Sequence, residues 1–191
     1  MPDCPAATNG HGLLQGGARI IQYRDKSQDH PRRREEAGAL LALCQQFNAT
    51  FIVNDDVTLA QEVGAHGVHL GLTDTDIADA RATLGANKII GGTCHGEIAN
   101  ARLAQTQGAD YVAFGRFFAS STKPDAPLAQ LEKIGPQLPS LQVPAVAIGG
   151  ITLANAPQLR AAGFAMVAVV ADIFARENIR AHCEHYAALF E

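Results

Sequence analysis

Phe51-Ile52-Val53-Asn54-Asp55-Asp56 and, shortly after it, Gly67-Val68-His69-Leu70-Gly71-Leu72-Thr73-Asp74 share one construction, a short apolar run that closes on polar residues. Neither run alternates strictly between apolar and polar positions, which is the pattern of strands covered on both faces, as in a parallel sheet. Working outward, similar runs recur at residues 19–23, 88–91, 111–114, 143–148 and 166–170. Helical periodicity fills the intervals. The plainest case is 33–47, where Ala37, Leu40, Leu41, Cys44 and Phe47 fall on one face. Asp74 and Thr75 are placed to cap a helix running to Leu84, 97–107 stops before Gly108, and Thr152 precedes a helix ending near Gly163. The order is strand then helix throughout, which in a parallel sheet means right-handed crossovers. A barrel and a doubly wound sheet both satisfy this pattern.

With 191 residues, 47% of them hydrophobic, the chain is predicted to form a single domain over 1–191 around one sizeable core. A net charge of −4 gives no cationic surface of the kind that holds nucleic acid or anionic lipid, so a small-molecule partner is expected. No apolar run approaches a membrane span, and Met1-Pro2-Asp3-Cys4-Pro5 lacks a signal-peptide pattern, which predicts a soluble, cytoplasmic protein. Cys4, Cys44, Cys94 and Cys183 are scattered, with no C-x-x-C pair, and are expected to be reduced thiols; Cys94 alone stands where chemistry could reach it.

The polar residues gather after the strands, the side on which parallel α/β folds build their sites. Gln22, Arg24 and Lys26 are spaced two apart and, on extended chain, project to one face as an amide and two cations that suit a polyanion. Asp55 and Asp74 end neighbouring runs and together offer the oxygen ligands Mg²⁺ takes; read alone, Asp74 is better explained as a helix cap. Residues 115–123 carry hydroxyls and a lysine in a loop able to wrap a phosphate. Gly149-Gly150 let backbone N–H groups approach an anion ahead of the helix after Thr152.

Taken together, GGARIIQYRDKS (16–27), FIVNDDVTLA (51–60), GAHGVHLGLTD (64–74), IIGGTCH (89–95), GADYVAFGRFFASSTKPDAP (108–127) and VPAVAIGGI (143–151) resemble the thiamine-phosphate synthase family in order and spacing. The resemblance implies an α/β fold, a TIM-type (β/α) barrel, in an enzyme that joins a hydroxymethylpyrimidine diphosphate to a thiazole phosphate and releases pyrophosphate with Mg²⁺. It implies that Gln22, Arg24 and Lys26 bind diphosphate, that Asn54 contacts it, and that Asp55 and Asp74 hold the metal. Thr93 would lie near diphosphate and pyrimidine, Ser120 and Thr122 would take the thiazole phosphate with Gly149 in a further phosphate-binding turn, and Lys123 would touch the diphosphate. Arg24, Lys26 and Lys123 are the expected catalytic cations, stabilising charge on the leaving group.

The chain departs from that pattern at its start. Residues 1–15, MPDCPAATNGHGLLQ, read poorly as a strand and as at most a turn or two of helix at 13–15, so the barrel is expected to lack its first strand and most of its first helix. The exposed edge would be left by truncation, closed by another segment or covered in a homo-oligomer. Leu72 stands where the family has glutamine, and Asp172 follows the last strand, where it is expected to face a helix N-terminus or solvent as a cap. Two other readings remain at this point. One is a thiazole tautomerase-like enzyme with His95 in the site; the other is a truncated barrel that binds a phosphate ligand without turnover.

Overall fold

The computed structural model describes residues 5–119 and 127–190. Its strands are β1 Ile20–Tyr23, β2 Thr50–Asn54, β3 Gly67–Leu70, β4 Ile89–His95, β5 Tyr111–Phe114, β6 Ala145–Ile148 and β7 Met166–Ala168. They form one parallel seven-stranded sheet in sequence order, β1 to β7. The helices are α1 Pro5–Gln15, α2 His30–Gln46, α3 Val57–Val63, α4 Ile77–Leu84, α5 Ile98–Thr106, α6 Leu131–Ile134, α7 Ala156–Ala161, α8 Ala171–Phe174 and α9 Ile179–Phe190, with a 3₁₀ turn at Gly135–Ser140. This is the barrel-type α/β architecture one strand short, with unpaired outer edges on β1 and β7 among the described residues.

The register says which residues face which layer. Tyr23, Val53, Val68 and Ile90 lie in one row across β1 to β4 and pack on the helix side with Ala37, Leu40 and Leu59. Side chains alternate along a strand, so the row Asn54, His69, Gly91, Tyr111 across β2 to β5 faces the concave side. A second helix-side cluster around Val112, Phe114, Leu159 and Phe164 covers the other half of the sheet, and Leu13 and Ile77 pack against both clusters.

The first helix corrects the expectation. Residues 5–15 form eleven residues of α-helix, packed between α2 and α9. Proline at the first helical position loses no hydrogen bond there. The glycines cost about 1 kcal/mol each relative to alanine in helix propensity, but they allow close approach: a Cβ on Gly10 would lie 3.0 Å from Leu40 Cδ2, and one on Gly16, just past the helix, would collide with the Arg180 carbonyl and Cys183 on α9. Tertiary packing outweighs local preference, and the helical layer bridges the side where the strand layer is open. Exposed apolar residues mark both ends of the sheet, Ile20 in β1 and Val170 just after β7.

Smaller corrections follow the same logic. Strand β4 runs on to His95, with an irregularity between Thr93 and His95. The α4 cap is Asp76, whose Oδ1 accepts the Ala78 N–H at 2.8 Å, and not Asp74 or Thr75. Helix α7 starts at Ala156, because Asn155 first folds back to accept the Thr152 N–H at 2.8 Å.

Candidate active site

Gln22, Arg24 and Lys26 are all exposed, while Tyr23 is buried and Asp25 and Ser27 are half-buried. The alternation is enforced by α2. The Tyr23 hydroxyl donates to Glu36 at 2.7 Å, Arg32 donates to Asp25 at 2.6 Å and to the Ser27 hydroxyl at 2.8 Å, and the Ser27 N–H donates to Asp25 at 2.6 Å. Hydrogen bonds from Ser27 and the charge of Arg32 hold the Asp25 carboxyl below its usual range. Odd-numbered residues are tied to the helix, which turns the even-numbered amide and cations to the opposite face.

Of the two aspartates that follow β2, one is structural. Asp56 caps α3 by accepting the Leu59 N–H at 2.9 Å and pairs with Arg33 at 2.8 Å. Asp55, at φ +64°, turns away from the strand line and meets Lys26 and Asp74. Asp74 is held by its own loop, its Oδ2 accepting the Gly71 N–H at 2.7 Å. The two carboxyls contact each other and respond oppositely. Burial raises both, but hydrogen bonds to Lys26 and Asp74 carry Asp55 below its ordinary value, whereas burial and the neighbouring Asp55 push Asp74 up. Asp74 is therefore the member inclined to keep a proton.

On the concave face, His69 is buried, with Nδ1 2.9 Å from the Tyr111 hydroxyl and Nε2 2.9 Å from the Thr93 hydroxyl. Burial pushes its pKa from 6.5 down to about 4, against the pull of Asp55, so the imidazole is neutral near pH 7. Thr93, the expected substrate contact, thus belongs to a hydrogen-bonded chain that residue typing did not single out. The available signal was a histidine in the middle of an otherwise apolar run.

Gly149 and Gly150 have φ of +89° and +66°. A Cβ on Gly149 would strike Arg116, and one on Gly150 would strike the Ala119 carbonyl, so the turn lies directly against the segment leaving β5. The Phe118 N–H donates to the Gly149 carbonyl at 3.1 Å. Ser120, Thr122 and Lys123 fall outside the described residues.

Other expectations are corrected here. Asp172 is neither a solvent-facing group nor a cap: its side chain is 7% exposed and accepts from His182 at 2.8 Å, Tyr186 at 2.7 Å and Arg176 at 2.7 Å, joining α8 to α9. Cys94 is fully buried, and burial raises its thiol to about 12, which removes it from solution chemistry. Cys44 and Cys183 are also buried and free. His95 and Leu72 are exposed.

A recess of about 340 Å³ opens at the opposite, N-terminal end of the sheet, lined by residues such as Leu138, Val143, Pro144 and Gly163, with no charged side chain among its lining. It offers apolar surface and little chemistry. The charged and hydrogen-bonding groups converge at the C-terminal end.

The model of the thiamine monophosphate synthase family matches residues 9–173. The chain belongs to that family. A thiamine-phosphate synthase of Thioalkalivibrio sulfidiphilus is 51% identical over 195 residues, covering 100% of this chain and 92% of the relative. One from Acidithiobacillus ferrooxidans is 46% identical over 193 residues, covering 100% and 89%. The solved structure of a thiamine phosphate pyrophosphorylase from Pyrococcus furiosus superimposes with a TM-score of 0.89 at 32% identity, over 96% of this chain and 88% of that one. Family membership agrees with the fold and with the side of the sheet on which the polar groups meet. No helix among the described residues is long and apolar enough to cross a membrane.

Proposed function

We propose that the protein is a thiamine-phosphate synthase, joining 4-amino-2-methyl-5-hydroxymethylpyrimidine diphosphate to hydroxyethylthiazole phosphate and releasing pyrophosphate. The observation that carries this reading is the meeting of an exposed amide–cation–cation row, Gln22, Arg24 and Lys26, with the Asp55–Asp74 pair at one end of the sheet. The row suits a diphosphate. The pair suits a divalent cation, because two carboxylates in contact repel each other and a positive charge between them relieves that repulsion. Asp55 and Asp74 would hold Mg²⁺; when bound, the ion would supply neutralisation of charge on the leaving group.

The residues then divide the work. Arg24 and Lys26 hold the diphosphate, and Lys26, paired with Asp55, places one cation beside the metal ligands. Gln22 and Asn54 add hydrogen bonds to the same group, Thr93 reaches the pyrimidine side, and Gly149 with Ser120 and Thr122 takes the thiazole phosphate. Arg24, Lys26 and Lys123 stabilise the negative charge that develops as the C–O bond breaks. An electron-rich aminopyrimidine ring carries the resulting cation, which the thiazole nitrogen attacks, so the site needs orientation and charge stabilisation more than proton transfer.

The test incubates the protein with both substrates and Mg²⁺ and follows thiamine phosphate and pyrophosphate, with Asp55→Ala as control. Metal-dependent product that vanishes in the control is expected. A folded protein that binds the substrates and forms no product would overturn the reading in favour of a ligand-binding barrel. Conversion of a thiazole phosphate alone would point instead to a tautomerase.

A further inference from the structure

The Tyr111, His69 and Thr93 side chains form a directed hydrogen-bond chain across three strands. His69, Gly91 and Tyr111 are register partners on β3, β4 and β5, and the middle position has no side chain. A Cβ on Gly91 would collide with the Tyr111 ring and hydroxyl, so glycine there is what lets the phenol cross β4 and reach His69 Nδ1 at 2.9 Å. Thr93, two residues beyond Gly91 on the same strand face, meets Nε2 at 2.9 Å.

The direction of the chain follows from counting protons. A tyrosine phenol keeps its proton near pH 7, and the His69 imidazole, with each ring nitrogen facing a hydroxyl, has one N–H to place. Among the described residues, the acceptor that the buried phenol proton meets is Nδ1. An imidazole accepting at Nδ1 carries its proton on Nε2 and donates it to the Thr93 oxygen. The threonine hydroxyl, its oxygen engaged from within the sheet, then has its own proton free to turn toward the half-exposed mouth. The opposite tautomer strands the phenol proton in the interior and draws the threonine proton inward, presenting lone pairs to a site that collects anions.

We propose that Tyr111 and His69 are positioning residues that hold Thr93 as a hydrogen-bond donor toward the pyrimidine diphosphate. This rests on the synthase reading for the identity of the ligand; the tautomer itself does not. Thr93 donates to an acceptor atom of that substrate, a phosphate oxygen or a ring nitrogen, and neither Tyr111 nor His69 touches it.

Two measurements test this. Nitrogen-15 NMR of histidine-labelled protein, with the His69 signals assigned by loss in His69→Gln, is expected to show Nε2 protonated and Nδ1 bare, and Tyr111→Phe, which keeps the ring and removes the proton, to shift His69 away from that state. A proton on Nδ1 in the unaltered protein overturns the proposal whether or not the protein is active. In steady-state kinetics, Tyr111→Phe and Thr93→Val should each raise KM for the pyrimidine diphosphate about tenfold, the size of one hydrogen bond to a charged group, and leave KM for the thiazole phosphate unchanged. The double variant should be no worse than Thr93→Val alone. Additive losses, or equal losses for both substrates, would overturn it. Absence of turnover in the unaltered protein would count against the synthase reading, and the NMR result would then decide the relay.

Discussion

Asp55, just after β2, and Asp172, a few residues after β7, both stand at the C-terminal edge of the sheet, and both carboxyls are held below the ordinary carboxylate range against the effect of burial. Their partners separate them. Asp172 is 7% exposed and accepts from His182 and Tyr186 on α9 and from Arg176 in the connection before it, so its charge is spent on fastening α8 to α9. Asp55 is 23% exposed and faces one exposed cation and a second carboxyl. A carboxylate whose two oxygens are both engaged by donors of the fold is a strut, and one whose neighbours are a lysine and another acid is open to a ligand. Position along a strand does not distinguish the two; the partners do.

The comparison breaks most readily at activity. Asp55→Ala should lower kcat/KM by about a thousandfold, on the scale of losing one charge-stabilising group, while moving the thermal midpoint little; Asp172→Ala should leave kcat/KM at low temperature within a few-fold. A similar loss from both would remove the distinction. The next effect concerns pH. His69, facing Asp55 from β2, Thr93 from β4 and Tyr111 from β5, has its pKa lowered from 6.5 to about 4, so the unfolded chain binds the extra proton first. Stability is complete above about 6.5 and should fall as pH drops toward 4, by roughly 3 kcal/mol; denaturant titrations of His69→Gln should lack this limb.

A third test uses stability alone. Asp172→Ala leaves a tyrosine hydroxyl and an imidazole unpartnered and should cost about 2 kcal/mol in chemical denaturation. Because the folded carboxyl is depressed, its contribution is present above the unfolded value near 4 and disappears as pH falls below it, so Asp172→Asn should flatten the acid end of the curve. Asp55→Asn should alter that end much less, since the lowered Asp55 and the raised Asp74 contribute with opposite signs. The smallest effect is expected from Arg32→Ala, which loosens Asp25 and Ser27 without removing a substrate-facing cation; KM for the diphosphate substrate should rise a few-fold with kcat unchanged, and a fall in kcat would place Arg32 in the chemistry itself.

The strands were legible because a parallel sheet covered on both faces needs uninterrupted apolar runs. Residues 67–70 and 111–114 coincide with β3 and β5, and 50–53 falls one residue short of β2. The α2 face was legible for the same reason, with Ala37, Leu40 and Cys44 buried at helical spacing. The helix at residues 5–15 is hard to read because Asn9, Gly10 and Gly12 oppose it locally, and what sustains it is contact with Leu40 on α2 and Ile179 on α9, far away in the chain. The α4 cap is Asp76, where the sequence reading offers Asp74 and Thr75, because several such side chains in a row can each accept a backbone N–H, and only the path of the loop selects one.

In the candidate site, residue type and two-residue spacing were enough to bring out Gln22, Arg24 and Lys26 as a row, and to put Asp55 and Asp74 on adjoining strand ends. By itself the sequence therefore determined the strand–helix alternation, the polar end of the sheet and the family, because hydrophobic periodicity and short motifs are local along the chain. Only the tertiary structure decided that Asp55 meets Lys26 and Asp74, that Asp172 is a helix fastener, and that Tyr111 crosses Gly91 to His69 and Thr93. Those pairings join residues well separated in sequence, and a carboxylate, imidazole or hydroxyl takes its charge and its proton from whichever partner the fold places within hydrogen-bonding distance.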